Sequence, residues 1–462
     1  GLSGHGDGEN RFIASEAVTA KLQATLHHFD LIVGTEEEFH IAGGTTDTIK
    51  ALRAVRAVSK ATLVCKRGAD GAVAFEGAIP DHLDDGLAGQ GFPIEVFNVL
   101  GAGDGFMSGL LKGWLDDEDW PTALKYANAC GAFAVSRHGC APAYPSWVEL
   151  DFFLKRGVKE KALRKDAALE QIHWATNRSN DWSTMRVFAF DHRMQLEALD
   201  GASADKIGAF KELCLEACLS VADGRKGYGL LCDSRLGRDA LYKAAGQGLW
   251  IGRPVEWPGS RPLELEPEIG PDYGGLSEWP LDHVVKCLCF YHPDDSAEMK
   301  AAQEATVMRL FNAARRNRLE FLLEVIPSKV ATVGDDTNAA IIRRFYDLGV
   351  YPDWWKLEPM TSDTAWQQAC AAIDENDPHV RGIVVLGLAA EEDALAASFE
   401  VAARYPLVKG FAVGRTIFAD VAAGYMAGDI APEAAIQQMA QTYARLCALW
   451  DHARAIAQEK AA

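Results

Sequence analysis

Between residues 186 and 413 one rhythm repeats, and no other feature narrows the fold as far. Short apolar runs at Arg186–Asp191, Tyr228–Asp233, Leu249–Val255, His283–Tyr291, Phe321–Ile326, Trp354–Leu357, Gly382–Leu386 and Lys409–Val413 have the length of strands. Helical stretches or long loops separate them. Strands alternating with helices build parallel sheets covered by those helices. Eight such units in roughly 280 residues fit a (β/α)8 TIM barrel, whose typical size is about 250 residues. Polar residues stand at the C-terminal ends of the runs: Asp191, Asp233, Lys286, Glu324, Lys356 and Arg415. In a barrel those ends converge on the active site.

Lys356 sits between Asp353-Trp354-Trp355 and Leu357-Glu358-Pro359, an apolar, strand-like setting. A lysine is costly to bury charged. Burial lowers its pKa by up to roughly 3–5, whereas an unperturbed value of about 10.4 leaves only about a few amines in ten thousand neutral at pH 7. A neutral amine can attack a carbonyl and form a Schiff base. A lysine whose stem packs under the tryptophans while its head reaches water would fit the same local sequence.

The order of the set carries a resemblance. Ala189-Phe190-Asp191-His192-Arg193, Val285-Lys286-Cys287-Leu288, Leu322-Leu323-Glu324, Trp355-Lys356-Leu357 and Gly414-Arg415 resemble the class I tagatose-bisphosphate aldolase barrels. That resemblance implies Lys356 as the Schiff-base nucleophile and Glu324 as its acid/base partner. It implies Lys286 and Asp191 as polar groups on the substrate, and Gly387, Gly414 and Arg415 as the phosphate site. It implies no cofactor for the barrel beyond the lysine.

The first third of the chain reads differently. Ile94-Glu95-Val96-Phe97 alternates like a strand, Asn98 to Gly105 is a glycine turn, and Phe106, Leu110 and Trp114 recur at helical spacing. Gly101, Ala102 and Gly103 let an anion approach backbone N–H groups at a helix N-terminus, where orphan donors and the helix dipole favour it. Asp104 would repel a phosphate, a cost that makes sense if it takes a proton from an attacking hydroxyl. An ordinary strand-to-helix turn would show the same local pattern.

The surroundings resemble the ribokinase-like (PfkB) sugar kinases, in which Gly-Ala-Gly-Asp forms the anion hole and supplies the base. Gly34-Thr35-Glu36-Glu37-Glu38 resembles that family's Asn-x-x-Glu motif, with Thr35 in place of Asn; Glu38 is then the residue implied for magnesium, through a bound water. Val64 to Gly71 resembles the strand and turn that reach the nucleotide, which implies Lys66, Gly68 and Gly71. Ala127 to Ala141 resembles the helix and loop along the adenine pocket, which implies Asn128. The signature commonly begins with Asp, and this chain has Asn98. ATP and Mg2+ are the implied cofactors, and Asp104 the implied catalytic base.

The family's sugar-binding strands, lid and early glycine motif normally precede these motifs. Residues Gly1 to Asn10 are instead turn-rich and polar, so a piece of a longer reading frame is expected. The expected organisation is the C-terminal part of a kinase domain over 1–155, a solvated linker over 156–175 and the barrel over 176–462. Within the first segment, helices are expected over Glu16–His28, Thr46–Ser59, Pro121–Ser136 and Trp147–Arg156. A glycine-rich loop is expected over Asp84–Phe92.

A net charge of −19 over 462 residues argues against nucleic acid or an anionic membrane as partner. No apolar run has the length of a membrane helix. Ten cysteines without a disulfide or zinc layout fit reduced core thiols in a cytoplasmic protein.

Taken together the segments resemble the bacterial 5-dehydro-2-deoxygluconokinase family of inositol catabolism that carries a C-terminal DUF2090 barrel. That resemblance implies a sugar acid, its phosphate and a nucleotide as ligands, and is compatible with a homo-oligomer. Three classes of function stay open. They are a kinase joined to an aldolase, a kinase of another sugar acid with a scaffold or phosphosugar-binding barrel, and a non-catalytic interaction barrel. Lys356 blocked or ion-paired to structure would favour the second. Failure of Asp191, Lys286, Glu324 and Lys356 to converge would favour the third.

Overall fold

The computed structural model describes residues 15–178 and 180–461. The turn-rich reading of Gly1–Asn10 lies outside them. The chain divides into two compact units after Arg178.

In the first unit four strands, β1 (Leu31–Thr35), β2 (Thr62–Lys66), β3 (Ala72–Phe75) and β4 (Leu87–Gly89), lie side by side in chain order. β1 and β2 are parallel, with Thr35 opposite Lys66, and the next two pairings are antiparallel. Side chains on β2 alternate between faces. Leu63 and Cys65 join Phe39, Leu52 and Val55 on one side. Val64 joins Phe106, Leu110 and Leu124 on the other. Helices therefore cover both faces, as a layered α/β sheet requires.

Helices run over Glu16–Thr25, Thr48–Val58, Trp120–Ser136 and Trp147–Arg156, at or close to the expected bounds. Three expectations fail. Residues 94–97 join no strand and the chain bends at Phe97, because the N–H groups of Glu95 and Phe97 go to the carbonyls of Lys161 and Val135. The loop expected over 84–92 contains β4. The segment read as a solvated linker packs into the first unit: Leu163 and Leu169 are buried against Phe133 and Phe153, and Arg156 pairs with the buried Asp166. Its charges mislead because the apolar residues among them face inward.

The second unit is a closed barrel of eight parallel strands: β5 (Met185–Ala189), β6 (Tyr228–Leu231), β7 (Trp250–Pro254), β8 (His283–Cys289), β9 (Glu320–Val325), β10 (Trp354–Leu357), β11 (Gly382–Leu386) and β12 (Val408–Val413). β12 closes on β5, with Gly410 opposite Met185. Period-two alternation sorts each strand. Met185, Val187, Ala189, Leu231, Trp250, Val284, Leu322, Trp354, Val384 and Ala412 fill the interior, where the rings of Trp250 and Trp354 meet edge-on at 6.1 Å. Phe188, Leu230, Val285, Phe321, Trp355 and Ile383 face the surrounding helices. The barrel is thus plugged by apolar side chains below, and polar chemistry is confined to its C-terminal mouth. Among the described residues no helix is long and apolar enough to cross a membrane, and all ten cysteines are free.

Candidate active site

Alternation decides which strand-end residues face the mouth. Trp355 points to the helices, so Lys356 follows Trp354 inward, and it is only 3% exposed. Its register partner on β9 is Glu324, likewise inward and buried. Lys356 Nζ lies 3.0 Å from Glu324 Oε1, and Lys286 Nζ lies 2.8 Å from Glu324 Oε2. Lys286 also lies 3.2 Å from Asp191 Oδ2 and 2.9 Å from Glu256 Oε1. All five line one cavity of about 320 Å³ at the barrel mouth, which Gly387, Gly414 and Arg415 also line. Of the strand-end residues expected at the mouth, Asp191, Lys286, Glu324, Lys356 and Arg415 line this cavity and Asp233 does not.

Electrostatics fix most of the charges. Burial pulls the Lys286 amine down, but Asp191, Glu256 and Glu324 hold its pKa well above the ordinary lysine value. Burial raises Glu324, and Lys286 with Lys356 more than reverse that, so its carboxyl sits below the usual range. Asp191 behaves likewise, held far below that range by Lys286, His192 and Lys356 against burial. The His192 imidazole, 3.8 Å from Asp191, is lowered to about 4: burial is the main cause, Asp191 opposes it, and Arg415 and Lys356 add to it.

Backbone geometry shapes the cavity wall formed after β11 and β12. Leu388 and Ala389, both lining the cavity, adopt positive φ (50° and 59°), rare for residues with side chains. Gly414 allows the β12 end to touch β5, since a Cβ there would lie 2.0 Å from the Ala189 carbonyl.

Asp233 departs from expectation. It does not line the cavity. It caps the helix over Ser234–Ala244 by accepting from the Leu236 N–H (2.8 Å), and it pairs with the fully buried Lys211. Lys211 also donates to the carbonyls of Phe190 and His192, tying the ends of β5 and β6 together.

Strand-end reasoning missed Glu256. It lies two residues past β7, before a Pro-Gly turn, and binds Arg193 (3.1 Å) and the Leu288 N–H (3.1 Å) as well as Lys286. Arg193 is further held by Glu266 at 2.8 Å.

In the first unit, Gly101 (φ 80°) precedes the helix over Ala102–Leu115 and supplies no side chain to cap its first N–H groups. A Cβ on Gly101 would lie 2.9 Å from the Tyr144 hydroxyl, whereas one on Gly103 would meet only Lys66 Nζ, at 3.7 Å. The cradle thus has open backbone, a nearby ammonium and the exposed Asp104 in its first turn. Those features fit a phosphate. Glu38 is half committed: it closes a capping box on Thr35 (2.7 Å) and lies 3.7 Å from Lys66. Its neighbour Glu36 accepts from the Thr48 hydroxyl (2.9 Å), and among the described residues no three carboxylate, histidine or cysteine side chains gather as a metal site, so Glu38 would hold magnesium only through an intervening water.

Two expected nucleotide residues are placed otherwise. Asn128 is buried, and its amide donates to the carbonyls of Gly89 (2.9 Å) and Gln90 (3.2 Å), joining its helix to β4. Gly71 (φ 87°) serves a close backbone contact, since a Cβ there would lie 2.1 Å from the Gly89 carbonyl. Gly68 (φ 58°) has nothing near its Cβ position. Asn98 ties its own loop together by accepting from the Leu100 N–H at 2.8 Å.

Comparison with known proteins also divides the chain in two, with the boundary at residues 147–149, whereas the structure places it after Arg178. Residues 9–147 match the pfkB family carbohydrate kinase model. A 5-dehydro-2-deoxygluconokinase from Geobacillus kaustophilus is 28% identical over 140 residues, 29% of this chain and 40% of that protein. One of the same name from Listeria monocytogenes is 29% identical over 140 residues, 29% of this chain and 41% of that protein. The chain thus spans less than half the length of these relatives. A fructose-bisphosphate aldolase structure from Plasmodium falciparum aligns over 62% of this chain and 95% of its own, at 11% identity and a TM-score of 0.45. That likeness carries no argument about chemistry. The model that covers residues 149–454 is decisive: the chain belongs to the family described as an uncharacterized protein conserved in bacteria (DUF2090), preceded here by a pfkB-type kinase segment.

Proposed function

We propose that the barrel is a Schiff-base lyase for a phosphorylated keto sugar acid, and that the first unit belongs to the kinase that makes this substrate. One observation carries the reading: a buried lysine lies 3.0 Å from a buried glutamate in a cavity that also holds an arginine with no carboxylate partner among the described residues. Lys356, once neutral, attacks the ketone, and loss of water gives an iminium. Glu324 moves the protons of these steps and takes the proton of the hydroxyl on the carbon two bonds from the ketone carbon. The bond between that carbon and its neighbour next to the iminium breaks, and its electron pair passes into an enamine. Protonation of the enamine and hydrolysis return Lys356. Lys286, kept as ammonium, and ionised Asp191 orient the substrate hydroxyls. Arg415 with the backbone at Gly387 and Gly414 holds the phosphate.

The substrate this favours is 5-dehydro-2-deoxy-D-gluconate 6-phosphate. Its cleavage gives dihydroxyacetone phosphate and malonate semialdehyde, a step of myo-inositol catabolism in the cytoplasm. In the kinase, Gly101, Ala102 and Gly103 receive phosphate oxygens beside Lys66, and Asp104 takes the proton of the acceptor hydroxyl. Magnesium held near Glu38 would supply neutralisation of phosphate charge.

Convergence of Asp191, Lys286, Glu324 and Lys356 weighs against a purely interactive barrel. The scaffold reading keeps one observation, the Lys356–Glu324 ion pair, but that carboxylate itself faces the cavity. The test is release of dihydroxyacetone phosphate from 5-dehydro-2-deoxygluconate 6-phosphate, followed by coupled reduction. Release that Lys356→Ala abolishes is expected; a folded protein releasing none would overturn the reading.

A further inference from the structure

Five cations line the barrel cavity, Arg193, Lys286, Lys329, Lys356 and Arg415, against three carboxylates, Asp191, Glu256 and Glu324. The carboxylates are spent on the first, second and fourth cations. Among the described residues Arg415 and Lys329 have no carboxylate partner. In a chain of net charge −19 this leaves a local excess of two positive charges, and low-dielectric walls focus such a field.

The two unpaired cations stand apart. Arg415 follows β12, whereas Lys329 follows β9, three strands away around an eight-strand ring. Lys329 is exposed at the mouth, yet its turn is fixed. Glu358, buried just past β10, accepts from the Ser328 N–H (3.1 Å) and hydroxyl, and the Val330 N–H returns to the Pro327 carbonyl at 2.9 Å. A pinned turn presents its lysine at lower entropic cost than a free loop would.

Resting on the Schiff-base reading, we infer that Lys329 is the receptor for a second anionic group on the substrate, at the end remote from the phosphate held by Arg415. The cavity then selects ketones with an anion at each end, a phosphorylated sugar acid or a bisphosphate, over ketones with one.

The test uses the full chain and three six-carbon ketones in borohydride trapping at Lys356: fructose 1-phosphate, fructose 1,6-bisphosphate and 5-dehydro-2-deoxygluconate 6-phosphate. The two-anion ketones should half-saturate trapping at least about tenfold lower than fructose 1-phosphate, the worth of one charge-assisted contact. Lys329→Gln should erase that gap and leave fructose 1-phosphate unchanged, and Lys329→Arg should keep it. The larger gap of the two identifies the second anion as carboxylate or phosphate. Equal half-saturation for all three, or a gap that survives Lys329→Gln, overturns the inference. Absence of trapping with every ketone in folded protein overturns the Schiff-base reading, and this inference with it.

Discussion

Lys356 and Lys286 reach the same carboxylate from different strands, with Glu324 oxygens at 3.0 and 2.8 Å from their amines. Their other surroundings differ. Asp191 and Glu256 also crowd Lys286 and keep its proton in place, while Lys356 meets Glu324 alone among the carboxylates that pair at the site. That asymmetry suits Lys286 to a fixed charge on substrate oxygens and Lys356 to bond formation, with Glu324 able to pass protons between amine and substrate.

Glu324→Gln should therefore lower kcat for cleavage by roughly 10²–10⁴, the usual worth of a general acid/base, with a smaller effect on KM. The substitution preserves size and keeps an acceptor for Lys356. Steady-state kinetics reporting near wild-type kcat would remove Glu324 from the proton path.

The buried ion cluster sets an acid limit on stability. Glu324 and Asp191 have folded pKa values below their ordinary 4.5 and 3.8. Their contribution is complete above those ordinary values and is lost as pH falls through the folded ones. His192 and His283, each lowered from 6.5 to about 4 mainly by burial, act earlier: the unfolded chain binds their protons first, so stability declines from pH 6.5 toward 4. Tm should fall across that window and more steeply below it, and His192→Gln should flatten the upper part. A His192 imidazole titrating near 6.5 by NMR would contradict this account.

Asp233 should matter for folding and not for chemistry. Asp233→Ala leaves Lys211 buried without its carboxylate, a change worth about 3–5 kcal/mol, and removes a helix cap. Urea unfolding should show that loss, while trapping at Lys356 persists in the folded fraction. Wild-type stability would place the Lys211 charge elsewhere.

In the first unit, Gly103→Val separates sterics from folding. A Cβ there has only Lys66 Nζ within 4 Å, so the fold should survive, but the added valine fills the approach to the helix N–H groups. Calorimetry should show ATP binding weakened by about tenfold or more. Unchanged affinity in a folded variant would remove the anion-hole role.

Much of the barrel was legible because apolar strand-length runs separated by helices leave few architectures, and alternation then sends Lys286, Glu324 and Lys356 inward. Asp191 and Asp233 show where that logic stops. Each lies two residues past its strand, yet only Asp191 faces the cavity. The helix after β6 starts at Ser234, which makes Asp233 an N-cap, a role Asp favours. After Asp191 the chain runs on through His192 and Arg193 instead. Glu256 and Lys211 were illegible for another reason: a loop residue and a helix residue acquire meaning only from the strands folded beside them. Residues 94–97 had the period of a strand, but their N–H groups found acceptors at Lys161 and Val135.

The central claim is that Lys356 is the nucleophile. Borohydride added to the full chain with dihydroxyacetone phosphate should leave a stable adduct, found by mass spectrometry on the peptide containing Lys356. Lys356→Ala should abolish the adduct, and Lys286→Ala should retain some labelling. An adduct on Lys286, or none in folded protein, would contradict the account.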